Sequence, residues 1–197
     1  MSTQRLEHQL AFILEIDRLK KISRQTLISD GSRRENDAEH SWHLAVMVAV
    51  LAEYGPPEVD LTRVMKMLLV HDLVEIDAGD TYCYDAAACL TQRDREIEAA
   101  NRIFALLPSD QAAELHGIWD EFEARQTAEA RFAAALDRVQ PVLLNYQTHG
   151  ISWREHDVSK AQVIERNRHI EAGAPLLWRY ISGLIDDAAA RGWLRDA

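Results

Sequence analysis

The chain is short of the features that would mark it for export, for a membrane or for a nucleic acid. It has 2 cysteines, Cys83 and Cys89, among 197 residues, too few for a disulfide framework. Free thiols in a reducing compartment are the expectation, and a zinc–thiolate site lacks its four soft ligands. With 5 prolines and 8 glycines there is little material for long linkers. The longest apolar run, Leu44–Ala52, is too short to span a bilayer. The opening MSTQRLEHQL has no apolar stretch of the kind a secretory signal needs, so a cytoplasmic location is expected. Positive charge is scarce as well: 22 basic residues stand against 32 acidic ones, for a formal net charge of −10. That field repels a phosphate backbone and excludes broad binding to nucleic-acid polymers. A phosphorylated ligand must be held by a local site that outweighs it.

What is present is ordinary globular material, 47% apolar and 27% charged, long enough for one domain, 1–197, with a real core. Helical periodicity dominates and no window alternates as a strand would. The expectation is an all-α bundle of about seven to nine helices without significant sheet. Leu6, Leu10, Ile13 and Leu14 mark a first amphipathic helix reaching Lys21. Ser29–Asn36 reads as a polar loop, with Asp37 as N-cap of a helix that stops before Gly55. A dense apolar helix follows from Thr62 to Gly79. Thr81–Leu90 reads as a loop, and helices follow over Thr91–Leu107, from Ser109 or Asp110 to Phe122, and over Thr127–Tyr146. Pro141 inside the last of these predicts a kink or a break. Thr148–Asp157 reads as a loop before helices at Ser159–His169 and Pro175–Ala190.

Three of these helices carry a polar group where a hydrophobe would cost less. His40 lies on the apolar stripe of its helix with Leu44, Met47 and Leu51; His71-Asp72 interrupts MKMLLVHDLVE; Asp137 interrupts AAALDRVQPVLL. A buried ionised Asp is costly unless it is paired or metal-bound. One cation held between the three helices would offset those costs together. Two imidazoles and two carboxylates make a mixed N/O set suited to Mn²⁺, Co²⁺, Fe²⁺ or Zn²⁺. On spacing alone the alternatives stay open: a hydrogen-bonded core His40, and an ordinary Asp137–Arg138 ion pair.

The wording around these residues resembles the HD-domain superfamily of metal-dependent phosphohydrolases. Glu35-Asn36-Asp37-Ala38-Glu39-His40-Ser41 is similar to the ENxxEHS signature of the branch that contains bacterial 5′-deoxynucleotidases. His71-Asp72-Leu73-Val74-Glu75 with Gly79-Asp80 resembles that branch's HDxxE…GD element, and Asp137 with Pro141 its closing helix. The resemblance covers residues 5–150, leaving 151–197 as C-terminal helices packed on that part. It implies that His40, His71, Asp72 and Asp137 hold one divalent ion and that Glu75 and Asp80 work beside it. The implied activity is phosphate release from a small phosphorylated metabolite, a 5′-(deoxy)nucleoside monophosphate, by a homodimer. One departure stands out: the family carries an Arg-Trp pair ahead of the first His, and the equivalent stretch here, Ser23-Arg24-Gln25-Thr26-Leu27, has an Arg but no Trp.

The physics of the outer residues allows two readings of each. Glu75 shares a helix face with His71 and Asp72, so it either handles a proton or is a solvated helix-end residue. Asp80 after Gly79 is either a turn residue or an orienting carboxylate. Arg33 and Arg34 suit bidentate phosphate binding or are a solvated pair. Glu39 can orient a ligand or pair with an arginine, and His43 belongs to the core or supports the ligands. His116, His149, His156 and His169 have no partner pattern. Trp153-Arg154-Glu155-His156 can supply an aromatic ring to the ligand or is a packing element. The apolar face of Leu176, Leu177, Trp178, Ile181 and Leu184 serves core or interface. Two other classes compete. A di-iron oxygenase would need further histidines, but His116 stands alone between Leu73 and Leu136. A non-catalytic binding protein would be expected to have lost ligands.

Overall fold

The computed structural model describes residues 3–82, 84 and 86–196, without the side chains of 86–89. Cys83 and the Cys89 side chain lie outside the described residues, as does part of the expected Thr81–Leu90 loop. The architecture is helical, as the periodicity predicts. Helix α1 (Thr3–Ile16) and a 3₁₀ turn (Asp17–Lys21) lead into a small antiparallel hairpin, β1 (Ser23–Leu27) and β2 (Arg34–Asn36). Then come α2 (Asp37–Leu51), α3 (Leu61–Val70), a 3₁₀ turn (His71–Val74), α4 (Glu75–Ala78) and α5 (Ala86–Phe104). The chain continues with α6 (Ser109–Ala124), α7 (Ala128–Gln147), α8 (Ile151–Glu155), α9 (Lys160–Asn167), α10 (Ile170–Gly173) and α11 (Pro175–Ala190).

Local chemistry sets the boundaries. Asn36, not Asp37, caps α2: its side chain accepts from Glu39 N–H while Glu39 accepts from Asn36 N–H, a reciprocal box. Asp37 is thereby moved one place into the helix, where it is buried. Asp60 caps α3, Thr127 caps α7 and Ser159 caps α9 with Gln162. The expected helix from Thr62 to Gly79 tightens instead into a 3₁₀ turn at His71–Val74 and ends at Gly79, whose φ of 76° is glycine territory. α5 begins ahead of Thr91, and α8 occupies half of the expected loop after Thr148. The hairpin was not legible as strand, because SRQTL and REN are short and do not alternate.

α7 is the central element. Twelve of its 20 residues are buried, and it packs on α2, α3, α6, α10 and α11. Pro141 does not break it, since neighbours on several sides hold the helix, and Asn145 Nδ2 donates to the Pro141 carbonyl at 2.8 Å. Its small residues Ala130, Ala133, Ala134 and Ala135 let other helices come close. Against α10 the approach is near backbone contact: a Cβ on Gly173 would lie 2.1 Å from the Arg131 carbonyl oxygen. A second apolar cluster joins α5 to the α3–α4 turn around Phe104, Ile103 and Trp119. α11 buries Ile181 in the main core while Leu176 stays exposed. No helix among the described residues is long and apolar enough to cross a membrane.

Candidate metal centre

Three separate elements deliver the four polar groups. His40 comes from the first turns of α2, His71 and Asp72 from the 3₁₀ turn after α3, and Asp137 from the middle of α7. His40, His71 and Asp72 each offer a ligand atom within 4.8 Å of the others. Asp137 Oδ1 joins them, 3.0 Å from His40 Nε2 and 3.6 Å from His71 Nε2. All but Asp72 are buried, and Asp72 is half-buried at the cavity wall.

The hydrogen-bond logic leaves both imidazoles with their lone pairs turned inward. The Glu35 carboxylate accepts from the Gln140 amide at 2.6 Å, so Gln140 turns its Oε1 to His40 Nδ1, 3.2 Å away. Nδ1 must then donate, which leaves Nε2 as the lone-pair nitrogen facing Asp137. His71 Nδ1 donates to the Leu68 carbonyl at 2.9 Å, and its buried Nε2 has no hydrogen-bond partner. That nitrogen lies 3.1 Å from Asp72 Oδ1. Two lone-pair nitrogens aimed at carboxylate oxygens repel unless a positive charge, a proton or a metal ion, lies between them. The donor set therefore fits a divalent ion, with borderline N/O chemistry. Gln140 was not singled out by sequence; an i+3 polar residue after Asp137 on the same apolar helix was the available signal.

A surplus of negative charge surrounds that point. Burial would lower the His71 pKa, but the Asp72 and Asp137 carboxylates outweigh it and raise the ring to about 10, so Nε2 sits where a positive charge is favoured, a proton or the metal ion that displaces it. Burial likewise opposes ionisation of Asp72 and Asp137, yet His71 and Arg24 hold Asp72 low, and Arg138 with the two histidines holds Asp137 low. Burial, then Asp72 and Asp80, push Glu75 up to about 10. Burial raises Asp80, and burial with the Asp72 charge raises Asp37 to about 7. Arg24 answers part of this surplus: its guanidinium donates to Asp72 Oδ2 at 2.8 Å and to Asp37 Oδ1 at 3.1 Å. The hairpin's role is thus to carry Arg24 on β1, and Glu35 on β2, to the ligands.

A cavity of about 330 Å³ opens from this centre. His71, Asp72, Asp137, Glu75 and Asp80 line one part of it, and Glu75 is buried, not a solvated helix end. In the 3₁₀ turn, residues three apart nearly eclipse, so Glu75 stacks over Asp72. The structure does not bring Arg33 and Arg34 here. Arg33 makes a two-pronged pair with Glu39, both bonds at 2.8 Å, and Arg34 binds the Gln25 carbonyl and Glu155. The hairpin turns them outward. The arginines that do line the cavity are Arg24, Arg93, Arg125, Arg138 and Arg166. Trp153 is buried in the core and also borders the cavity. His43 Nδ1 meets the Gln140 amide at 3.2 Å, and His116 is engaged by Asp120 and Asn101 on the far side of α6.

The sequence from residue 16 to 178 matches the model of the HD domain. The chain belongs to the HD-domain family. This HD domain superposes on the crystal structure of a protein from Magnetospirillum magnetotacticum MS-1, described as a predicted metal-dependent phosphohydrolase. The TM-score is 0.93 and the identity 54%, over 97% of this chain and 96% of that one. It is 31% identical to the 5′-deoxynucleotidase HDDC2 of Homo sapiens over 135 residues, which are 68% of this chain and 65% of that protein. It is 23% identical to the 5′-deoxynucleotidase hdd1 of Schizosaccharomyces pombe over 187 residues, 92% of this chain and 84% of that protein. A conserved hypothetical protein from Pyrococcus furiosus shares the fold, with a TM-score of 0.65 at 21% identity.

Proposed function

We propose that the protein is a phosphomonoesterase dependent on one divalent ion and acting on a 5′-(deoxy)nucleoside monophosphate. One observation carries the reading: two imidazoles and two carboxylates from three elements converge on one buried point, beside the buried Glu75 and an open cavity. The 5′-deoxynucleotidase names of the relatives support the substrate class.

In this reading His40, His71, Asp72 and Asp137 hold the ion, of Mn²⁺, Co²⁺, Fe²⁺ or Zn²⁺ type. When bound it would supply Lewis acidity toward a phosphoryl oxygen and a lowered pKa for coordinated water. The chain's own groups do the rest. Glu75, kept protonated by burial and by the neighbouring carboxylates, donates its proton to the leaving oxygen. Asp80 accepts a hydrogen bond from water or from the sugar hydroxyl. Arg24, already on Asp72, offsets phosphate charge at the mouth of the site. The stretch Ser23–Leu27 has no Trp where the family carries its Arg-Trp pair, so base and sugar contacts come from elsewhere on the cavity wall. The reading extends to a single-domain, cytoplasmic homodimer, and the exposed apolar stripe of Trp42, Val46 and Val50 on α2 supports an interface.

The test is elemental analysis of the purified protein combined with phosphate release from a phosphomonoester panel. One divalent ion per chain and faster turnover of 5′-deoxynucleotides than of unrelated phosphomonoesters are expected. Faster turnover of unrelated sugar phosphates would overturn the substrate, and a metal-free, inactive protein would overturn the reaction.

A further inference from the structure

The cavity has two chemically opposite parts. One is the carboxylate-rich metal centre. The other is a wall of three arginines, Arg125, Arg138 and Arg166, with Asn145 and Asn167 beside them and Glu123 as the nearby carboxylate besides Asp137. They come from the end of α6, from α7 and from α9, so only the tertiary fold assembles them. In a chain with a net charge of −10, three guanidinium groups gathered on one cavity wall are a strong local reversal of the overall field.

Arg125 is the informative member. It ends α6 in the left-handed conformation, φ 52° and ψ 33°, where Gly or Asn is the usual choice. A long side chain there is strained. It is half-buried, and among the described residues its guanidinium makes no hydrogen bond and no ion pair. Burial, with Arg138 and Arg166 nearby, weakens its hold on its proton. Behind it, burial and the same arginines press His169 down to about 4, which keeps the ring neutral at neutral pH. Strain, desolvation and like-charge repulsion all oppose an arginine at this place. A ligand anion would offset all three.

The wall also adjoins the reaction centre. Arg138 Nε lies 3.4 Å from Asp137 Oδ2, the oxygen turned away from the histidines. An anion on the wall and a phosphoryl group at the metal centre would therefore be close enough to belong to one small molecule.

We propose that Arg125, Arg138 and Arg166 form an anion subsite that takes a second phosphate or carboxylate of the substrate. This rests on the phosphomonoesterase reading and departs from it in the substrate: the preferred compound carries a second anionic group besides the phosphate that is released, which a plain nucleoside monophosphate lacks. Guanidinium groups bind such oxyanions through paired, charge-assisted hydrogen bonds.

The experiment compares the metal-loaded protein on deoxynucleoside 5′-monophosphates and the matching 3′,5′-bisphosphates, and on phosphoglycerate against glycerol phosphate. The doubly anionic member of each pair should have the higher kcat/KM by roughly 10–100-fold, mostly through KM, the size of one or two charge-assisted bonds. Arg125→Gly, which tolerates the left-handed backbone, and Arg166→Gln should each shrink that ratio to within about threefold of one. A wild-type ratio near one for every pair, or a ratio that survives both substitutions, overturns the subsite. If nothing is turned over, the phosphomonoesterase reading fails by itself. Calorimetric titration of the same protein with the paired compounds then decides the subsite: tighter binding of the doubly anionic member, lost in Arg125→Gly, sustains it, and equal binding overturns it.

Discussion

Helices α1 and α7 make an instructive pair. Both carry enough apolar residues to draw an amphipathic stripe, yet α1 buries only Phe12 of its 14 residues while α7 buries 12 of 20. Leu6, Leu10, Ile13 and Leu14, the residues that define the α1 stripe, are all more than half exposed. α7 shows the reverse, burying Asp137, Gln140 and Asn145 in its apolar surroundings. Periodicity therefore identifies a helix and a face; what covers that face is a separate matter. The more telling signal is a polar residue retained where burial makes it costly, because something must offset the cost.

The contrast can be broken most forcefully at the polar residues of α7 and its partners. Asp137→Ala and Asp72→Ala should each abolish retention of the divalent ion, read as metal content after gel filtration; full occupancy in either variant would show that the ligand set is wrong. Glu75→Ala should keep the metal and lower kcat by roughly 10²–10⁴, the range for a lost acid–base group. A normal rate would return Glu75 to a structural role, and a parallel loss of metal would make it a ligand. Gln140→Leu keeps the apolar character of α7 but frees the His40 ring from its Nδ1 partner. Metal affinity, measured by competition with a chromophoric chelator, should weaken by about 10–100-fold.

Smaller effects sharpen the packing side of the comparison. Gly173→Ala pushes α10 off α7, because the new methyl group meets the Arg131 carbonyl, and should cost about 1–3 kcal/mol in denaturant unfolding. Leu14→Ser on α1, at 75% exposure, should change stability by less than about 0.5 kcal/mol. A loss of several kcal/mol there would mean that the α1 stripe is covered in solution, and a sedimentation measurement on the same variant would show by what.

The residues that proved spatially adjacent, His40, His71, Asp72 and Asp137, were legible because each interrupts an apolar pattern and because their surrounding words resemble the HD domain. Glu75 was legible as a neighbour of Asp72, though the turn that stacks them is 3₁₀ and not α-helical. The hairpin was not legible, since strands as short as SRQTL and REN owe their pairing to what they pack against. Arg33 and Arg34 looked like phosphate ligands from their place beside the signature, but at the turn and second strand of the hairpin they pair with Glu39 and Glu155 instead.

By itself the sequence determined the helical class, the helix starts near Thr62, Thr127 and Ser159, the acidic field, and the four costly polar positions. All of these follow from local spacing, composition or side-chain chemistry. Only the tertiary structure decided that Gln140 orients His40, that Arg24 reaches Asp72, and that arginines from α6, α7 and α9 share one cavity wall. Those relations join residues such as Arg24 and Asp72, or Arg125 and Arg166, that are far apart in the chain. Helical periodicity says which face a side chain occupies, but not which other helix that face will meet.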